Sequence, residues 1–174
     1  MALWTLDFPQ VRTVSGNVRT HFGNRSKKTW GITPQPYEVE DGAVGFLRLA
    51  GDITLFLQST WAEHAKPGED RMRMEIQGTE GTVVMDVPNY VQGDTVTYYT
   101  EINGTPSVVT PRLNWNNPHS VAGYIDTSLN AIIDGTPAPA EGAQGLVTVG
   151  ILEALYQSAQ EKREIAFAEV VPVS

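Results

Sequence analysis

Over the first two-thirds of the chain, apolar and polar residues alternate one by one, and turn dipeptides cut that alternation into short pieces. A side-chain period of two is what a β-strand with one buried face requires. Ile53, Leu55, Leu57 and Trp61 fall on one face of such a piece, with Thr54, Gln58 and Thr60 on the other. Gly51-Asp52 stands before it as a turn, so 43–49 and 53–61 read as a hairpin. Met72, Met74 and Ile76 then alternate with Arg71, Arg73, Glu75 and Gln77, and the Gly78-Thr79-Glu80-Gly81 turn leads into 82–87. Val96, Tyr98 and Ile102 alternate with Thr95, Thr97 and Glu101 before Asn103-Gly104, a strong hairpin signal. An earlier strand is predicted over 11–22. Strands joined by such short turns pair antiparallel, which predicts a large, mostly antiparallel open sheet with one apolar face.

The period then changes. Asn117 is a natural N-cap and Pro118 suits the first helical position, where its missing N–H does no harm. Val121, Tyr124, Ile125, Leu129, Ile132 and Ile133 keep a helical stripe that Gly135 ends. After a stiff Thr136-Pro137-Ala138-Pro139 link, a second helix is predicted over about 143–160, burying Val147, Ile151, Ala154, Leu155 and Ser158. Gly150 in its middle costs about 1 kcal/mol relative to Ala, which predicts a close backbone contact there. Residues 164–167 alternate again and add a last strand. Sheet first and helices afterwards, packed on one face, is an α+β layer architecture. At 174 residues the chain is expected to form a single domain over 1–174.

Apolar residues make up 41% of the chain and charged residues 18%, a balance that supports a packed core. The net charge of −8 argues against nucleic acid and against anionic lipid, both of which need a basic surface. Five of the twelve basic residues do cluster, at Arg12, Arg19, Arg25, Lys27 and Lys28, a pattern more often seen on a solvated strand-and-loop surface than at an anion site. With no cysteine there is neither a disulfide nor a thiol nucleophile, and no apolar run reaches the roughly 20 residues that span a bilayer. The first residues lack a basic n-region, so a signal peptide is not expected and a cytoplasmic location is.

Motifs for chemistry are scarce. There is no G-x-G-x-x-G and no G-x-x-x-x-G-K-[ST], hence no cradle for a dinucleotide or nucleotide phosphate, and no G-x-S-x-G elbow. His21, His64 and His119 are too isolated to form a metal motif. Glu38 and Glu40 share a strand face, as an acid/base pair might require, but a charged edge that blocks aggregation explains them more simply. The most site-like cluster is Trp61, Glu63 and His64, where a strand gives way to a loop. There an aromatic ring can pack on a sugar's C–H face while a carboxylate or imidazole takes its hydroxyls. The plain alternative is a Trp capping the core edge beside two solvated neighbours.

Several segments resemble, in order, the C-terminal domain of the Gfo/Idh/MocA oxidoreductases, which include glucose–fructose oxidoreductase and inositol dehydrogenase. They are Ala2-Leu3-Trp4-Thr5-Leu6-Asp7-Phe8-Pro9, Val39-Glu40-Asp41-Gly42-Ala43, Ser59-Thr60-Trp61, the run from Glu75 to Val83, Asn117-Pro118, and Glu153 to Ala159. The resemblance spans residue 2 to about 167. It implies a two-domain parent whose N-terminal Rossmann domain binds NAD or NADP and supplies a lysine. The C-terminal domain would add an Asp and a His, shape the substrate site and drive oligomerisation through its sheet. In the family that Asp and His lie just before the Ala-Leu-Trp stretch with which this chain opens, so no catalytic residue is carried over. Substrate-binding residues are expected at Trp61 and His64, on the loop after Ser59-Thr60-Trp61, and the basic stretch around Lys27 and Trp30 is a weaker candidate for the same pocket.

The expected function is therefore the C-terminal substrate-side and oligomerisation domain of an NAD(P)-dependent sugar or polyol oxidoreductase, inactive by itself, with no cofactor or metal in this chain. The expected partners are a second copy of the chain through the sheet face, whose outward side carries Phe56 and Tyr99, the parent's Rossmann domain, and a sugar or polyol. The alternative is a free-standing carbohydrate-binding or structural subunit that has lost catalysis or completes the site of a separate Rossmann partner.

Overall fold

Two hairpin turns show why the strands form where they do. Asn103 and Gly104 both have positive φ, 51° and 76°, as do Gly51 at 74° and Asp52 at 57°. Two successive left-handed residues make the turn whose twist matches paired strands, and Asn, Asp and Gly adopt that backbone at least cost. The structure is a computed structural model that describes residues 1–21, 39–62, 71–89, 93–112 and 120–171.

The chain divides into two compact units, Met1–His64 with Ala140–Ser174, and Ala65–Pro139. The first unit opens with a short helix, α1 (Ala2–Thr5), followed by β1 (Val11–Arg19), β2 (Gly42–Leu49) and β3 (Thr54–Thr60). It closes with the long helix α3 (Gly142–Glu161), the two-residue β8 (Ile165–Ala166) and one 3-10 turn, Phe167–Glu169. Its sheet runs β3-β2-β1-β8, and every neighbouring pair is antiparallel. The second unit holds β4 (Arg71–Gly78), β5 (Gly81–Pro88), β6 (Val96–Ile102) and β7 (Thr105–Val109) in simple meander order, with α2 (Ser120–Asp134).

The α+β class and the strand positions follow the sequence pattern. The described strands hydrogen-bond as two antiparallel sheets of four. Alternation marks which residues are strands but not which strands pair. The Asn117 N-cap and Pro118 lie outside the described residues.

The first unit's core is Val11, Val14, Leu47, Leu49, Ile151, Ala154, Leu155, Ile165 and Phe167. It is made where α3 crosses β1, and glycines set how closely the two approach. A methyl on Gly16 would sit 2.5 Å from Cγ of Leu155, and one on Gly45 would sit 3.0 Å from its Cδ1, so the leucine fills the space over two bare backbone positions. Gly150 shows the close contact its cost implied: a methyl there would be 2.4 Å from Val171 and 3.0 Å from the Phe167 ring. Ser158, buried in the same helix, accepts a hydrogen bond from the N–H of Gly16 at 2.9 Å and donates to the Arg163 carbonyl at 2.6 Å. It thereby satisfies a β1 N–H beyond the reach of the short β8.

Helix α3 packs on β1, and the side chains of the α2 stripe are more exposed. Val121, Tyr124, Ile125, Leu129, Ile132 and Ile133 are each half or more exposed.

Candidate functional site

Because β1, β2 and β3 are successively antiparallel, the end of β1, the start of β2 and the end of β3 come together at one end of the first unit's sheet. Gly42 faces both Arg19 and Thr60 in register. The residues just beyond these strand ends, Thr20 and His21, Val39 to Asp41, and Trp61 and Ala62, form one polar cluster.

Asp41 organises it. Its carboxylate is fully buried, accepts the His21 backbone N–H at 2.5 Å and lies 3.9 Å from Nε of Arg19. Its own N–H donates to the Arg19 carbonyl at 2.9 Å, while its carbonyl accepts the Thr60 hydroxyl at 2.8 Å and the Trp61 N–H at 3.3 Å. A buried carboxylate is tolerable only when paired and hydrogen-bonded in this way. The Arg19 side chain lies over Gly42, where a methyl would meet its Nε at 2.5 Å. One residue thus ties three strand ends together.

Trp61 is 62% exposed. It stands one residue past β3, outside the strand face it would share with Leu55 and Leu57 had the strand continued. Its indole Nε1–H donates to the Glu40 carbonyl at 2.7 Å, which fixes the ring plane. The Glu40 carboxylate in turn accepts the hydroxyl of Tyr156, which reaches it from α3. That phenol holds the Glu40 carboxyl below the usual carboxylate range, with the residue's own backbone N–H adding to the effect. The same bond pushes the Tyr156 phenol up. Both groups are solvated, so the pair's worth lies in geometry more than in energy.

Of the residues picked out by sequence, Trp61 lies at the strand-end cluster, while His64, Glu63 and the Lys27–Trp30 stretch lie outside the described residues. Glu40 is no free charged edge, since it joins β2 to α3. The sequence offered two signals for the missed partners. Glu40 sits in the densest carboxylate run, and Tyr156 lies on the side of α3 away from Ile151 and Leu155. No residue pattern links positions 116 apart in the chain.

Among the described residues, no group of three or more His, Asp or Glu side chains is placed to hold a metal, and no helix is long and apolar enough to cross a membrane. Among the described residues every strand pairing is antiparallel.

The model of the oxidoreductase family, C-terminal alpha/beta domain, matches residues 1–167, and the chain belongs to this family, the Gfo/Idh/MocA oxidoreductases. No curated protein matches the sequence. Among solved structures, the chain is similar to GenD2 from gentamicin A biosynthesis in complex with NAD, with 24% identity and a TM-score of 0.64 over 94% of this chain and 44% of that one. It is similar to levoglucosan dehydrogenase in complex with NADH and L-sorbose, with 16% identity and a TM-score of 0.71 over 91% and 45%. It is also similar to aldose-aldose oxidoreductase from Caulobacter crescentus complexed with glycerol, with 20% identity and a TM-score of 0.66 over 95% and 43%. The chain spans less than half the length of each of these three.

Proposed function

We propose that this chain is the substrate-side and oligomerisation domain of an NAD(P)-dependent oxidoreductase acting on a sugar or polyol, and that it transfers no hydride by itself. The observation that carries the reading is a family match over residues 1–167 in a chain without a dinucleotide fingerprint. The NAD, NADH, L-sorbose and glycerol named with the three relatives support a nicotinamide cofactor and a polyhydroxylated ligand for the parent enzyme. The same reading places that enzyme in the cytoplasm.

In this reading Trp61 and His64 form the rim of the ligand site. Trp61 supplies an apolar ring face whose orientation is already set, so little entropy is lost when a sugar stacks on it. No residue of this chain is assigned to the hydride chemistry, and no step is derived for the cofactor. Oligomerisation is assigned to the sheet face that carries Val44, Phe46 and Phe56. Phe56 is 77% exposed there and stands edge-on to Phe46, with ring centroids 5.1 Å apart and Arg48 over the Phe46 ring. An aromatic patch rimmed by Thr54 and Gln58 suits a partly apolar interface.

The test is to incubate the isolated chain with NAD or NADP and a panel of sugars and polyols, then to repeat the assay with a separately produced dinucleotide-binding partner. Hydride transfer by the chain alone would sink the reading. Transfer that appears only on adding the partner supports it, and saturable sugar binding without any such transfer favours a free-standing binding module. For the sheet face, Phe56→Glu should shift the light-scattering mass toward the monomer. An unchanged mass would remove that face from the assembly.

A further inference from the structure

The sequence contains a single Asn-Gly pair, Asn103-Gly104, and the fold sets it at the tip of the β6–β7 hairpin, closed by the Ile102–Thr105 pairing. Glycine has no side chain to shield its backbone nitrogen, so an asparagine just before it is open to attack on its carboxamide. The Gly104 nitrogen adds to Cγ of Asn103, ammonia leaves, and a succinimide ring forms. Water then opens the ring at one of its two carbonyls. Across both steps the residue takes up one water and releases one ammonia. Opening at one carbonyl gives aspartate. Opening at the other gives isoaspartate, whose main chain runs through Cβ and is longer by a methylene.

Among the described residues nothing shields this pair. Both residues are exposed, and a methyl built on Gly104 would meet no atom within 4 Å. Among the described residues, no hydrogen bond engages the Asn103 carboxamide or the Gly104 N–H. The closed turn does restrain them, because φ values of 51° and 76° hold the hairpin backbone. That restraint is only as strong as the hairpin. β7 is the outer strand of its sheet, Pro106 gives it no N–H to donate, and Val108 stays 66% exposed. A strand with so few buried contacts opens locally before its unit unfolds. Other positions lack this combination. Asp41-Gly42 could close the same ring, but Asp41 is fully buried and the Arg19 side chain lies over Gly42. Asn17 and Asn130 sit inside β1 and α2, followed by Val18 and Ala131, where a side chain and regular backbone keep the next nitrogen away.

We propose that Asn103 is a site of spontaneous deamidation, and that its isoaspartate product unpairs β7 from β6. A two-residue turn closes only with ordinary backbone spacing. The extra methylene displaces the Ile102–Thr105 pairing from which the ladder runs. The aspartate product keeps the backbone, so it adds a negative charge and leaves the hairpin closed.

The test ages the full chain in mildly alkaline buffer at physiological temperature and follows the tryptic peptide 74–112, which ends at Arg112. Electron-transfer fragmentation locates the change from NH2 to OH and tells isoaspartate from aspartate. Asn103 should be lost at least about tenfold faster than Asn17 or Asn130, with isoaspartate the larger product. Asn103→Gly suits the same turn, so it should keep the hairpin and abolish the mass change at this position. Gly104→Asn tolerates positive φ but adds a Cβ beside the attacking nitrogen, and should slow the loss about tenfold or more. In the isoaspartate fraction the amides of 107–109 should exchange hydrogen faster, while those of β4 and β5 stay as they were. If Asn103 is still intact when the same position in the urea-unfolded chain has fully reacted, the turn protects it and the site is overturned. Ageing of Gly104→Asn at the original rate would overturn it as well. Equal protection of β7 in the isoaspartate and aspartate fractions would overturn the unpairing.

Discussion

Both long helices carry apolar residues at helical spacing, on one side of α2 and nearly all round α3, yet among the described residues only α3 buries its apolar side. On α3, Ile151, Ala154, Leu155, Ser158 and Ala159 are buried on β1, and the glycines of that strand let the helix backbone come close. On α2, the side chains from Val121 to Ile133 that keep helical spacing stay largely exposed, up to 78% at Ile132 and Ile133. An amphipathic stripe states that a helix is suited to burial against something. It does not state what covers it, and α3 shows that apolar residues at helical spacing can become a packed core. Even α3 keeps a second apolar row, Leu146, Val149, Leu152 and Tyr156, facing away from its core side.

Substitutions can break that comparison, starting with the largest effect. Leu155→Ala removes the side chain that fills the space over Gly16 and Gly45 and should cost about 2–5 kcal/mol, read from urea unfolding of the first unit. A loss much smaller than that would mean α3 is loosely seated. Gly150→Ala places a methyl where Val171 and Phe167 already stand. We expect a net loss of about 1–3 kcal/mol despite the better helix propensity of Ala, and a gain would show that the C-terminal segment yields freely. By contrast, the double substitution Ile132→Gln, Ile133→Gln on α2 should leave the stability of the isolated chain within about 0.5 kcal/mol. A large loss there would erase the difference between the helices.

A pH experiment probes the end of α3, where Arg163 bonds to Glu161 at 2.6 Å and to Glu169 at 2.7 Å, and Glu169 also accepts the Ala166 N–H at 3.0 Å. The Arg163 bond holds the Glu169 carboxyl below its ordinary value of 4.5, with the backbone bond adding to it. A carboxyl whose pKa falls on folding adds stability above its unfolded value and loses it as pH drops through the folded one. The contribution is small because the groups are solvated, and it should weaken with salt. Comparing the unfolding midpoints of the wild type and Glu169→Gln should show a gap near neutrality that closes in acid, below about pH 4. A gap that persists unchanged into acid would show that the Glu169 charge plays no part.

How much of this was legible from residues alone differs by feature. The hairpin turns at Gly51-Asp52 and Asn103-Gly104 were, because a left-handed backbone favours few residue types and these dipeptides supply them. So was the contact at Gly150, because a helix-interior glycine has a cost that packing must offset. Trp61 was legible as a residue at a strand end. Its orientation was not, since the indole depends on a carbonyl 21 residues away.

By itself, then, the sequence determined the α+β class, the strand and helix positions and the family, all of which rest on local period, turn chemistry and ordered short motifs. The tertiary structure alone decided that the described strands pair as two sheets, that Asp41 is buried while neighbouring Glu40 is solvated, and that Glu40 meets Tyr156. The physical reason is range. Backbone preference acts over a few residues and leaves its mark in the local pattern. Burial and side-chain hydrogen bonds join positions such as 40 and 156, whose meeting is set by how the whole chain packs.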